Sequence, residues 1–289
     1  MIGREIALEA LGVLCNAKVT SVQQRSRDGT SFSADFGHAE LFSIKQLIPA
    51  VLHADQTRQG SISIFQNALV AFGGGSAALA NTVPAGLQSY FPLSQDVREN
   101  QTTKELELHI KINEEEFFDP GFDYDFTHLT DTQTYWRGGE KYERPCGFKR
   151  FALKVLGKYD DDTWLGTSYR STESLEGEWP VSYHGTSEEG AKGIIEGHYK
   201  VGDVNAYGDG IYSTPDISVA KQYAKTFTSK NDKKSYKVIL QNRINPEYRK
   251  EYNNDKYWLI RIPKEKSDEE QQKMVERAIR PYGLLLKKV

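Results

Sequence analysis

Near the start of the chain, Ile2, Ile6, Leu8, Leu11, Val13 and Leu14 recur at mixed spacings of three and four, with Glu5 and Glu9 on the other side. That period predicts an amphipathic helix over residues 1–17. The polar stretch from Ser21 to Ser33 reads as a loop or hairpin, and helical spacing returns from Leu41 to Leu52 and from Ile62 to Phe72. Gly73-Gly74-Gly75-Ser76 then breaks the pattern before a small-residue helix over 77–81, closed by Pro84 and Gly86. The glycine run lacks the lysine and hydroxyl residue that follow it in a phosphate-binding loop, so it reads as a hinge.

Farther along, the period shortens to two. Leu106 to Ile112 alternates apolar and polar positions, which predicts a short strand. Residues 94–134 are polar and acidic, with Glu114-Glu115-Glu116 and the series Asp119, Asp123, Asp125 and Asp131, and read as an acidic aromatic linker or small subdomain. The run from Asp119 to Asp125 carries only half the ligand pattern of a calcium loop. From Tyr135 the chain becomes aromatic and turn-rich, with a strand expected over 148–155 and Trp164 and Trp179 flanking a polar loop. Such aromatic density needs an apolar partner, so residues 135–182 read as a preface packed on the domain that follows. In that domain, strands are expected at 181–184, 211–213, 236–241, 257–261 and 283–289, with helices over 188–196 and 218–227. Strands with intercalated short helices predict an α+β fold with a split antiparallel β-sheet at the C-terminus, preceded by a largely helical N-terminal region. The expected units are 1–93, mainly helical; 94–134, the acidic segment; and 135–289, with its core at 180–289.

Composition narrows the function classes. The net charge is −3 and charged residues make up 27% of the 289, so no strong field points to a nucleic-acid or membrane partner. The basic clusters Lys141, Arg144, Lys149, Arg150 and Lys154, and Lys230, Lys233 and Lys234, read as solvated surface. Cys15 and Cys146 cannot make a disulfide framework or a four-ligand zinc site; no metal is expected, and a reducing compartment suits them. Met1-Ile2-Gly3-Arg4-Glu5 carries a charge pair where a secretory leader needs apolar residues. No apolar run approaches the ~20 residues that span a bilayer. A soluble cytoplasmic or nuclear protein, rather than a secreted one, is the expectation.

The candidate chemistry lies in Tyr183-His184-Gly185-Thr186, in Tyr207-Gly208-Asp209-Gly210-Ile211-Tyr212-Ser213-Thr214, and in Ala220-Lys221-Gln222-Tyr223. A histidine before a glycine offers an imidazole for a ribose hydroxyl beside a backbone that a flat amide can approach. Two tyrosines add flat faces for a nicotinamide ring. These motifs resemble the ADP-ribosyltransferases of the diphtheria-toxin and poly(ADP-ribose) polymerase branch, over residues 180–289. The resemblance implies NAD as substrate. His184 would bind the adenosine-side ribose, and Tyr212 and Tyr223 would hold the nicotinamide, with Gly185, Thr186 and Ser213 in the same binding set. Polymerases place a serine on the nicotinamide amide, where this chain has Ala220. They also carry a glutamate on a late strand, where this chain runs Arg277-Ala278-Ile279-Arg280-Pro281-Tyr282; Glu276 lies just before it and Arg280 nearer the expected place.

A missing strand carboxylate implies mono-transfer rather than chain elongation. The expected activity is therefore mono-ADP-ribosyl transfer to a macromolecular acceptor, protein or nucleic acid, with His184, Tyr212, Arg280 and Glu276 as catalytic candidates. Arg243, at the end of a strand, is a candidate for acceptor or pyrophosphate. A tRNA 2'-phosphotransferase-like enzyme, an NAD glycohydrolase and an inactive NAD- or ADP-ribose-binding module remain as alternatives.

Overall fold

The computed structural model describes residues 2–22, 41–59, 108–166, 171–185, 210–263 and 265–289. The helical expectations over 62–72, 77–81 and 188–196 and the 73–76 hinge lie outside the described residues.

The fold is mixed α and β, with antiparallel sheets and few helices among the described residues. It is built on two ten-residue strands, β10 (Ser235–Ile244) and β13 (Ile279–Lys288), paired antiparallel from Tyr236 with Lys288 to Ile244 with Ile279. Val238, Ile239 and Leu240 in one, and Leu284, Leu285 and Leu286 in the other, are at most 1% exposed. An unbroken apolar run is what a strand needs when both sheet faces are covered. Pro281, which cannot donate a ladder hydrogen bond, sits where the register shifts at Gln241 and Asn242, a bulge that tolerates it.

Strands β6 (Lys149–Ala152) and β3 (Tyr124–Asp125) extend the sheet beyond β13, and β7 (Val181–His184) extends it beyond β10. β9 (Lys225–Thr228) also pairs with β10. A second, three-stranded sheet orders β11 (Arg249–Tyr252), β12 (Tyr257–Arg261) and β8 (Gly210–Ser213). The two sheets meet where Tyr183 and Thr214 exchange backbone hydrogen bonds of 2.8 and 3.0 Å. Gly210 starts β8 at φ +150°, and a Cβ there would lie 2.0 Å from the Ile260 carbonyl oxygen, so only glycine lets β8 lie against β12.

One sheet face carries α1 (Arg4–Cys15) and α2 (Leu47–Gln59), which follows a 3-10 turn at Ile44–Gln46. The apolar stripe of α1 is buried as its spacing predicts, and the helix ends at Asn16 in the left-handed conformation. The N-terminal region is not helical throughout, because β1 (Ala17–Ser21) pairs in parallel with β2 (Leu108–Ile112). The opposite face is covered by the aromatic preface, which includes the hairpin β4 (Tyr135–Arg137) and β5 (Glu140–Tyr142).

Further along the chain, two more expectations differ from what is seen and one helix was unforeseen. The surface-linker character expected for the acidic segment does not hold at Phe117, Phe118 and Phe126, which are buried; the one-turn helix α3 (Glu114–Phe117) and β3 carry these rings into the core while the acids face out. The helix expected over 218–227 stops early: α4 is Ile217–Gln222, capped by Asp216, and Lys225-Thr226-Phe227-Thr228 pairs as β9 instead, its β-branched alternation favouring the ladder. Helix α5 (Asp268–Ala278) was not anticipated, although Ser267 and Glu270 form the capping box that signals a helix start.

Beneath the preface lies a closed charge network. Glu178, 4% exposed at its side chain, sits 2.8 Å from Arg243 Nη2 and 3.4 Å from Arg137 Nε. Its other oxygen accepts from Leu175 N at 3.1 Å. Removing one partner of a buried pair leaves uncompensated charge, so Glu178→Ala is expected to destabilise the fold by about 3–5 kcal/mol. Urea unfolding measures this, and a loss under about 1 kcal/mol would contradict the role assigned to the network.

Candidate functional site

The end of β7 and the start of β8 bring the motif residues together. His184 Nδ1 lies 2.6 Å from the Tyr212 carbonyl oxygen, to which it donates. Gly185 packs on the end of α4: a Cβ there would lie 2.5 Å from the Ala220 carbonyl oxygen and 3.0 Å from the Tyr223 carbonyl carbon. The close approach that Gly185 permits on this side is therefore made by the chain itself, not by a ligand amide. His184, Gly185, Tyr212 and Tyr223 thus form one neighbourhood, while Thr186 lies outside the described residues.

Tyr223 meets a third tyrosine that the sequence reading passed over. Tyr223 Oη is 3.3 Å from Tyr257 Oη. Leu259 pairs with Tyr212, so strand alternation puts Tyr257 and Tyr212 on the same face of the three-stranded sheet. The alternation of Tyr257 to Arg261 was legible in sequence; its pairing with β8 was not. On the other face of β8, Ser213 is directly opposite Trp258, and both are buried. Ser213 Oγ and Trp258 Nε1 have no hydrogen-bond partner among the described residues.

The second nitrogen of His184 meets a residue far away in sequence. Nε2 is 3.1 Å from Asp55 Oδ2 on α2, and Asp55 Oδ1 is 3.6 Å from Lys225 Nζ. Lys225, 9% exposed, also points at the Val13 carbonyl at 3.2 Å and the Leu14 carbonyl at 3.5 Å. Those carbonyls belong to the last turn of α1, which favours a cation. With an oxygen facing each ring nitrogen, the doubly protonated imidazolium is the form that donates to both. Burial alone would lower its pKa; the Asp55 hydrogen bond and charge, with the Tyr212 carbonyl, outweigh it and hold the pKa above the ordinary 6.5. No local pattern around Asp55 marks it as a partner of His184.

The remaining candidates lie elsewhere. Arg243 pairs with Val181, and His184 with Leu240, three residues along the same ladder. That odd offset places Arg243 on the opposite face, about 10 Å away along the strand. It binds Glu178 and the carbonyls of Trp179 and Leu165, so it is a structural arginine rather than a pyrophosphate contact. Arg280, paired with Arg243, is enclosed by the rings of Tyr159, Trp164 and Trp179 at 4.3, 5.1 and 4.5 Å. Burial there lowers its pKa, with nearby acids and Tyr159 opposing. Glu276 lies within α5, receives a bond from Gln272 at 2.9 Å and pairs with Lys45 at 2.9 Å. Neither of these two catalytic candidates adjoins His184, because helix α5 and the bulge in β13 direct them toward the preface and the 3-10 turn.

Among the described residues, no three metal-ligating side chains gather and no helix is long and apolar enough to cross a membrane. No protein-family model and no curated protein matches the chain.

Two outcomes follow from this geometry. Gly185→Ala must push back the Tyr223 backbone and is expected to lower stability by about 1–3 kcal/mol, read by thermal unfolding. The His184 pair has a definite pH sign. A raised folded pKa makes its stabilisation complete below pH 6.5 and lost as pH climbs through the higher folded value. Urea midpoints from about pH 5 to about pH 9 should therefore fall more steeply for wild type than for Asp55→Asn, and parallel curves would refute the pairing.

Proposed function

We propose that the chain binds NAD beside His184, Tyr212 and Tyr223 and acts as a mono-ADP-ribosyltransferase. The observation that supports this most is that β7, β8 and the end of α4 meet: the Tyr212 carbonyl accepts from His184 and the Tyr223 backbone lies against Gly185, beside the Tyr183–Thr214 junction. In this reading His184 holds the adenosine-side ribose and the tyrosine faces hold the nicotinamide. The bond between nicotinamide and ribose breaks with its electron pair leaving on nicotinamide, and the nucleophile of a protein or nucleic-acid acceptor adds to the ribose carbon. Ordered dipoles in a site closed to water would favour that charge separation.

The phosphotransferase alternative calls for arginines at the pocket. Arg243 and Arg280 are committed to Glu178 and to aromatic rings, and Arg249 to Glu140, Glu251 and the Trp258 ring. Arg261, on the same face of β12 as Tyr257 and 3.4 Å from Tyr252 Oη, is the arginine at the tyrosines, so the phosphotransferase reading rests on that residue.

Incubation with labelled NAD and, separately, with protein, RNA and DNA acceptors is expected to release nicotinamide and label one class, and His184→Ala is expected to abolish both. Nicotinamide release without labelled acceptor would make the chain a glycohydrolase. Binding of NAD without release would make it a binding module. Normal labelling by His184→Ala would reject the pocket.

A further inference from the structure

We infer that Asp55 is a built-in competitor of the dinucleotide: given the NAD pocket proposed above, α2 holds a carboxylate on the one ring nitrogen that a ribose hydroxyl would need, so NAD enters only as Asp55 is displaced. An imidazole has two hydrogen-bonding atoms. Nδ1 is committed to the Tyr212 carbonyl, a backbone group fixed by the β8–β12 ladder. Nε2 is committed to Asp55 at 3.1 Å. A ligand hydroxyl has no third position on the ring.

The contact is built to be released locally. Leu47, Ile48, Ala50, Val51 and Ala54 bury the apolar side of α2, so the helix itself is anchored. Asp55 keeps 21% of its side chain exposed, so a change of rotamer takes its carboxylate into water without moving the helix. Charge reinforces the competition. The seat that Asp55 occupies is framed by two cations, the His184 imidazolium and Lys225 at 3.6 Å, and its vacancy matches a dinucleotide bearing two phosphates. While Asp55 remains, its negative charge opposes the same ligand.

Titration calorimetry with NAD on the 289-residue chain, on Asp55→Asn and on Asp55→Ala tests this; the asparagine variant keeps the shape should the alanine variant fold poorly. Removing a charge-assisted contact of this kind is expected to tighten NAD binding about tenfold in both variants. The 15N resonances of His184 provide a readout free of NAD, and the ring pKa should fall in both. NAD binding by wild type with equal or weaker binding by the variants would overturn the competition and leave the pocket standing. No binding by any of the three would remove the pocket and the competition together.

Discussion

An imidazole with an oxygen facing each nitrogen donates to both only when it carries two protons, and this constraint at His184 organises everything around it. Asp55 lies between this ring and Lys225, so the nearly buried Lys225 ammonium has a carboxylate beside it as well as the two helix-end carbonyls that replace its water. Through Lys225 the last turn of α1 joins the same set, so two N-terminal helices and three strands share one polar junction. No contact in it is independent of the others, and loss of the ring proton would turn an attraction at Nε2 into a lone pair facing a carboxylate.

The ladder through β7, β10 and β13 decides which chemistry meets which. Side chains alternate faces along a strand, so the three-residue offset between His184 with Leu240 and Val181 with Arg243 separates the two polar clusters by a full sheet thickness. The His184 cluster looks toward the helices, while Arg243 and Arg280 look toward the preface. A shift of one residue in this pairing would exchange the clusters and part Arg243 from Glu178, which the buried ion pair opposes.

Much of the strand framework was legible because it obeys local rules. The Val181–His184 and Tyr257–Arg261 strands fall where alternation placed them, and the first helix follows its spacing. That the ends of β7, β8 and α4 meet was anticipated from the order of the motifs and their resemblance to a known family. What escaped is non-local. Nothing near Asp55 marks it as the partner of a histidine 129 residues away. Arg243 looked like an anion contact and Arg280 like a catalytic group because a sequence shows their charge and position and hides the Glu178 carboxylate and the aromatic rings that surround them. The early end of α4 was misjudged because Phe227 fits a helical stripe and a strand equally well, and only pairing with β10 decides between them.

The two charge networks differ in the property that separates scaffold from variable contact. Glu178 is enclosed between Arg137 and Arg243 with 4% of its side chain exposed, and its backbone donors hold it from a further side. Breaking such a pair strands charge away from water, so it behaves as a fixed strut. Asp55 is about five times more exposed and meets no backbone donor in its contacts with His184 and Lys225. Its carboxylate can return to water, while His184 and Lys225, 11% and 9% exposed at their side chains, would then rely on their remaining carbonyl contacts. The fold thus sets its more enclosed carboxylate on the sheet face toward the preface and its more exposed one on the face that carries His184, so a change of partner costs less on the second face than on the first.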